Sequence, residues 1–132
     1  MKVLALDYGR ARTGVAVSDP TGTVARPLGV VERAASDAGL ERLAELIRSE
    51  AAERVVVGLP LTLRGEHGAQ AQETEAFVEA LRGAIDVPVE SFDERFTTGL
   101  AERVGTDDAP EDARAAAHLL SSYLEWSSDV GE

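Results

Sequence analysis

No cysteine occurs anywhere in this 132-residue sequence. That absence excludes a disulfide scaffold, a thiolate zinc site and a cysteine nucleophile. No window approaches the roughly 18 unbroken apolar residues of a membrane span. The run Val3-Leu4-Ala5-Leu6 halts at Asp7, too short for the core of a signal peptide. Internal repeats, low-complexity tracts and linkers are also missing. Lysine is nearly absent, since twelve of the thirteen cations are Arg; Arg suits planar phosphate recognition, although a GC-rich coding bias gives the same composition. Positive charge is scarce overall: the net charge of −11, taken alone, argues against a nucleic-acid partner. The deficit is uneven, however. Residues 1–66 carry nine acidic and nine basic side chains, and residues 67–132 carry fifteen against four. The neutral half can still present a local basic surface from Arg10, Arg12, Arg26, Arg33 and Arg64. With 44% hydrophobic and 28% charged residues, the expectation is one globular domain over residues 1–126, a frayed tail at 127–132, and a cytoplasmic location without membrane contact.

The pattern of apolar residues predicts the elements. Val3–Asp7 reads as a central strand buried on both faces, ending in a charge. Arg12–Ser18 and Val24–Val31 follow as strands, the latter broken by Pro27, which suits an edge strand or a bulge. The Asp19-Pro20-Thr21-Gly22 turn makes the first thirty residues a β-meander. Ser36 caps a helix with the stripe Leu40, Leu43, Ala44, Ile47. Arg54–Val57 is a short strand closed by Gly58-Leu59-Pro60, and residues 61–68 form a loop. A helix over about Ala69–Ala84 turns Phe77, Val78 and Leu81 inward. Val87–Phe92 is a fifth strand. A short helix near Leu100–Val104 and a last one over about Pro110–Trp126 complete an α/β architecture, a mixed sheet with helices on both faces.

Three carboxylates stand where carboxylates are costly. Asp7 ends a buried strand, and in open α/β sheets ligands gather beyond strand carboxyl ends; a turn residue helping Gly9 leave the strand is the plainer reading. Glu94 follows the fifth strand directly, as a ligand or as a solvated acid paired with Arg95. Asp112 lies one turn before Ala116 on the apolar stripe of the last helix. It is either a helix-dipole acid or, since Asp107, Asp108 and Glu111 already serve capping, a ligand for a hard cation such as Mg²⁺ or Mn²⁺. His67 and His118 read as surface residues. Thr97 and Thr98 cap the short helix or order Glu94. Arg95 pairs with Asp93 or clamps phosphate, and the loop between Gly9 and Gly14 can approach a phosphate.

Four segments, in order, resemble the YqgF (RuvX) family: Leu6–Arg10 with Arg12–Gly22, Val57–Leu61, Asp93–Thr98, and Asp112 through Ser122-Tyr123-Leu124-Glu125. The resemblance implies an RNase H-like fold of the RuvC type, with five strands of which the first three are antiparallel. It implies a metal-dependent nuclease, a hydrolase acting on ester bonds. The family is described both as resolving Holliday junctions and as maturing the 5′ end of small-subunit ribosomal RNA. By motif, its metal-binding, catalytic acids fall on Asp7, Glu94 and Asp112. The sequence departs from the family in lacking a basic stretch before the last acid, where Gly105–Glu111 carries no cation, and in placing Glu111 directly beside Asp112. Substrate phosphates are therefore expected on Arg10, Arg12 and Arg64, with Arg95 beside the metals. RNA is the favoured partner over branched DNA, because a junction resolvase needs a symmetric dimer and no long exposed apolar helix announces one; a monomer or weak homodimer is expected. A non-catalytic nucleic-acid-binding domain is the alternative from another class.

Overall fold

The computed structural model describes residues 1–60, 64–65, 67–94 and 109–129, with side chains through 127. Its frame is one five-stranded sheet in the order β3-β2-β1-β4-β5. The strands are β1 (Val3–Asp7), β2 (Arg12–Ser18), β3 (Ala25–Glu32), β4 (Arg54–Leu59) and β5 (Val89–Asp93). The meander β1-β2-β3 is antiparallel, and β1-β4 and β4-β5 are parallel. The helices are α1 (Asp37–Ser49), α2 (Ala69–Ala84) and α3 (Glu111–Asp129).

Strand parity divides the core in two. On one face, Leu4, Leu6, Val15, Val55 and Val57 pack under α1 and α2, with Leu43, Ile47, Phe77 and Leu81. On the other, Val3, Ala5, Ala16, Val56 and Phe92 meet Ala116, Ala117, Leu120 and Tyr123 of α3. Small residues on this second face let α3 lie close across β1, β2 and β3. The helices thus cover both faces, as the periodicity predicts. Among the described residues, no helix is long and apolar enough to cross a membrane.

Several expectations hold to the residue. β1, β2 and α2 have the predicted bounds, and the Ser36 hydroxyl accepts the Gly39 N–H at 3.0 Å at the start of α1. Pro27 lies on the outer strand β3, where the register slips between Val15 and Ala16, so its missing N–H costs no ladder bond in the sheet interior. Other expectations shift. β4 runs on through Gly58 and Leu59, which pair with Phe92 and Asp93, so the Gly-Leu-Pro segment does not close the strand early. The cross-strand partner, invisible to local propensity, overrides the glycine. β3 and β5 start one and two residues later than expected. α3 continues to Asp129, three residues past the predicted helix end at Trp126, whose ring packs on Phe92 and Tyr123. The short helix near Leu100–Val104 lies outside the described residues.

Candidate functional site

Parity on the α3 face builds the site. Val3, Ala5 and Asp7 alternate down β1, and Phe92 and Glu94 continue the same face at the end of β5. Asp7 and Glu94 therefore emerge at the carboxyl ends of two strands separated only by β4. Their carboxyl groups share a hydrogen bond. Burial raises the Asp7 pKa, and the nearby Asp112 charge adds to the rise while the Glu94 contact offsets it. Burial, then the charge and hydrogen bond of Asp7, then Asp93, push Glu94 up to about 7. Two carboxylates in one partly desolvated space cannot both ionise freely, so the pair holds a proton near neutrality.

Two glycines open this space. A Cβ on Gly58 would stand 2.6 Å from Glu94 Oε1 and 3.0 Å from Leu119 Cδ2. A Cβ on Gly14 would stand 1.8 Å from the Asp112 carbonyl oxygen. Gly14, opposite Asp7 in the register, thus lets the first turn of α3 rest directly on β2. Neither glycine was expected in this role: Gly14 reads locally as a turn residue and Gly58 as a strand terminator. The signal that finds them is parity, since both fall on the face that carries Asp7 and Glu94.

Asp112 is half-buried at the margin of the α3 stripe, whose buried members are Ala113, Ala116, Ala117, Leu119, Leu120 and Tyr123. Its Oδ2 lies 3.2 Å from Arg12 Nε. Glu111 is exposed and turns to solvent. Among the described residues, no group of three His, Cys, Asp or Glu side chains is assembled to hold a metal ion. The structure therefore brings Asp7 and Glu94 into contact and places Asp112 within electrostatic reach, tied to Arg12. The donors are nevertheless hard carboxylate oxygens in a glycine-lined space, the chemistry that Mg²⁺ and Mn²⁺ prefer.

The arginines part company. Arg12 joins the acids. Arg10 points to the opposite side of the sheet, where its Nη2 and Nε bond Glu73 of α2 at 2.6 and 3.2 Å, beside Tyr8 stacked on Phe77 at 4.5 Å. Arg64 is exposed in the turn before α2. Arg95, Thr97, Thr98, Asp107 and Asp108 lie outside the described residues. His67 is exposed and pairs with Glu75 at 3.5 Å, and His118 is half-buried on α3; neither joins the acids.

A family model for RuvX, described as Holliday junction resolvase, matches residues 1–126. A protein of Roseiflexus sp. (strain RS-1) is 45% identical, with 94% of this chain and 94% of the relative covered. One of Chloroflexus aggregans is 39% identical, with 93% and 92% covered. Both carry the name "Putative pre-16S rRNA nuclease". Among solved structures, T. thermophilus RuvC in complex with a Holliday junction substrate superposes with a TM-score of 0.68 at 18% identity, covering 99% of this chain and 96% of that one. A fowlpox virus Holliday junction resolvase gives 0.55 at 12%, covering 96% and 99%. At such identities the likeness is one of fold, and it bears out the expected RNase H-like sheet of the RuvC type. The sequence matches carry more, because they run in register along nearly the whole chain: the protein belongs to the RuvX family.

Proposed function

We propose that this chain is a divalent-metal-dependent nuclease that hydrolyses phosphodiester bonds in the 5′-end maturation of pre-16S ribosomal RNA, in the cytoplasm. The observation that carries the reading is the contact between Asp7 and Glu94 at the carboxyl ends of β1 and β5, in space that Gly58 of the intervening β4 leaves open. A purely structural domain gains nothing from placing two half-buried carboxyls against each other, since each penalises ionisation of the other. Such a pair is useful when a cation replaces the shared proton.

Asp7 and Glu94 would hold Mg²⁺ or Mn²⁺, with Asp112 as the third carboxylate. When bound, such an ion lowers the pKa of water and neutralises charge developing on phosphorus. Glu94 gives up its proton as the site fills. Arg12, largely exposed beside Asp112, offers its guanidinium to a phosphate oxygen as a charge-assisted donor. Water attacks directly, leaving a 3′-hydroxyl and a 5′-phosphate, with no nucleophilic side chain required. Arg64 and Arg95 are the further candidates for the phosphate backbone. Arg10 can join them only by giving up its bidentate bond to Glu73.

The relatives' names support RNA, whereas the family description and the RuvC complex name the Holliday junction. The test is cleavage of labelled precursor RNA, linear DNA and a four-way junction with Mg²⁺ or Mn²⁺. RNA cleavage abolished by EDTA is expected. Cleavage indifferent to EDTA overturns the metal mechanism, and symmetric cutting of the junction alone would install the resolvase reading instead.

A further inference from the structure

The third carboxylate is present but engaged elsewhere. Arg12 and Gly14 share one face of β2, two residues apart, and the Asp112 carbonyl oxygen rests where a Gly14 Cβ would be. Gly14 in turn pairs with Asp7 across the strands. The backbone of Asp112 thus rests on Gly14, with Arg12 two residues along the strand and Asp7 paired across it. The Asp112 carboxylate is ion-paired with Arg12, Oδ2 to Nε at 3.2 Å, and among the described residues no three ligand side chains form a metal-holding group. Arg12 meanwhile is 65% exposed, free to meet a ligand from solvent.

We propose that Arg12 is a positioning residue that withholds Asp112 from the metal until a substrate phosphate takes over the guanidinium, so that substrate binding completes the metal site. The inference rests on the nuclease reading above. Exposed ion pairs between single side chains are weak, whereas phosphate offers an arginine two oxygens in a planar, bidentate arrangement. The exchange therefore favours the substrate. Once Arg12 leaves, Asp112 is an uncompensated carboxylate beside Asp7, and that charge density recruits a cation. Because the Asp112 backbone is held by the Gly14 contact, only its side chain needs to turn. Coupling of this kind is reciprocal: the factor by which phosphate tightens the metal is the factor by which the metal tightens the substrate. An unoccupied enzyme then holds its metal loosely and assembles a complete site only on nucleic acid.

The experiment is a calorimetric titration of Mn²⁺ alone into the wild type, Arg12→Gln, Asp112→Asn and the double variant. It is repeated with a hydrolysis-resistant phosphorothioate RNA present. Arg12→Gln should tighten Mn²⁺ binding about threefold, the modest factor expected for an exposed pair. The gain should vanish in the Asp112→Asn background, since the double-mutant cycle isolates the pair. The tightening of Mn²⁺ by RNA should shrink in Arg12→Gln. An equal gain in both backgrounds would mean that Arg12 acts only as a nearby positive charge, and no gain would mean that it withholds nothing; either result overturns the proposal. If Mn²⁺ binds and RNA is cut while Arg12→Gln changes neither affinity nor coupling, this inference alone fails. If the wild type neither binds Mn²⁺ nor cuts RNA, the nuclease reading fails with it.

Discussion

Glu94 holds its proton far longer than a free glutamate, and the stability of the metal-free protein should show it. Its ordinary pKa of 4.5 applies to the unfolded chain, and the folded value is about 7. A raised folded pKa gives stability that is complete below the unfolded value and lost as pH rises through the folded one. Asp7 is shifted in the same direction. Thermal unfolding in EDTA should therefore show Tm falling by several degrees as pH climbs from about 5 to about 8, with a flatter curve for Glu94→Gln. Asp19, held low by Thr21 and by the backbone N–H groups of Thr23 and Val24, acts only at more acid pH and does not mask this window. A Tm independent of pH there would mean that the two carboxyls are not crowded. The same charge logic covers Asp7→Asn, Glu94→Gln and Asp112→Asn. Each should abolish cleavage, and the first two should leave the metal-free protein at least as stable near neutral pH, because repulsion falls. Full activity in Asp112→Asn would return that residue to its plainer role at the helix terminus. Gly58→Ala makes a sharper test, since it alters no charge. Its Cβ would meet the Glu94 carboxyl at 2.6 Å, and displacing a reacting group by an ångström costs on the order of 100-fold in rate. A folded Gly58→Ala protein with normal kcat would show that Glu94 tolerates displacement.

At the scale of elements, α1 ends in a way that invites improvement. The Ala52 N–H bonds the Ile47 carbonyl and the Ala51 N–H bonds that of Arg48, both at 3.1 Å. This is the double bond of a Schellman motif, and it places Ala51 at φ 55. Left-handed backbone costs an L-residue roughly 1–2 kcal/mol, and glycine returns about 0.4–1 kcal/mol of that as unfolded-chain entropy. Ala51→Gly should then stabilise by about 0.5–1 kcal/mol, read as a raised Cm at constant m in urea. Loss of stability would mean that the Ala51 methyl makes packing contacts worth more than the strain. At the other end of the same helix, Ser36→Ala removes the acceptor for Gly39 N–H and should cost about 1 kcal/mol. Both substitutions flank α1, on the face of the sheet opposite the carboxylates, so cleavage should be unchanged in each.

For the molecule as a whole, charge sets the strength of substrate binding. All of the −11 resides in residues 67–132, and one cation expected on the backbone, Arg10, is held by Glu73. Few phosphates can be contacted, each contributing about 0.7–0.9 to the salt slope. The slope of log K against log salt should be shallow, on the order of two to four, measured by fluorescence anisotropy of a labelled RNA with Ca²⁺ in place of the catalytic ion. A much steeper slope would reveal a larger basic surface than these arginines provide. Arg12→Ala should weaken binding equally for all sequences, because backbone contacts carry no base information.

Much of this protein is legible in the order of its residues. The buried run ending at Asp7, the Ser36 cap, the Phe77-Val78-Leu81 stripe and the Pro27 interruption each obey a local rule, because strand alternation, helix period and capping are written in neighbouring residues. The family motifs added the sheet topology and named Asp7, Glu94 and Asp112 together. Tertiary structure decided what depends on partners distant in the chain. β4 extends through Gly58 because β5 is there to pair with it. Gly14 and Gly58 matter because α3 and Glu94 arrive against them. Arg10 and Arg12, two residues apart, part to opposite sides of the sheet, one to Glu73 and the other to Asp112. Composition cannot separate those two arginines, since which carboxylate each one meets is fixed only when α2 and α3 close over opposite faces of the same sheet.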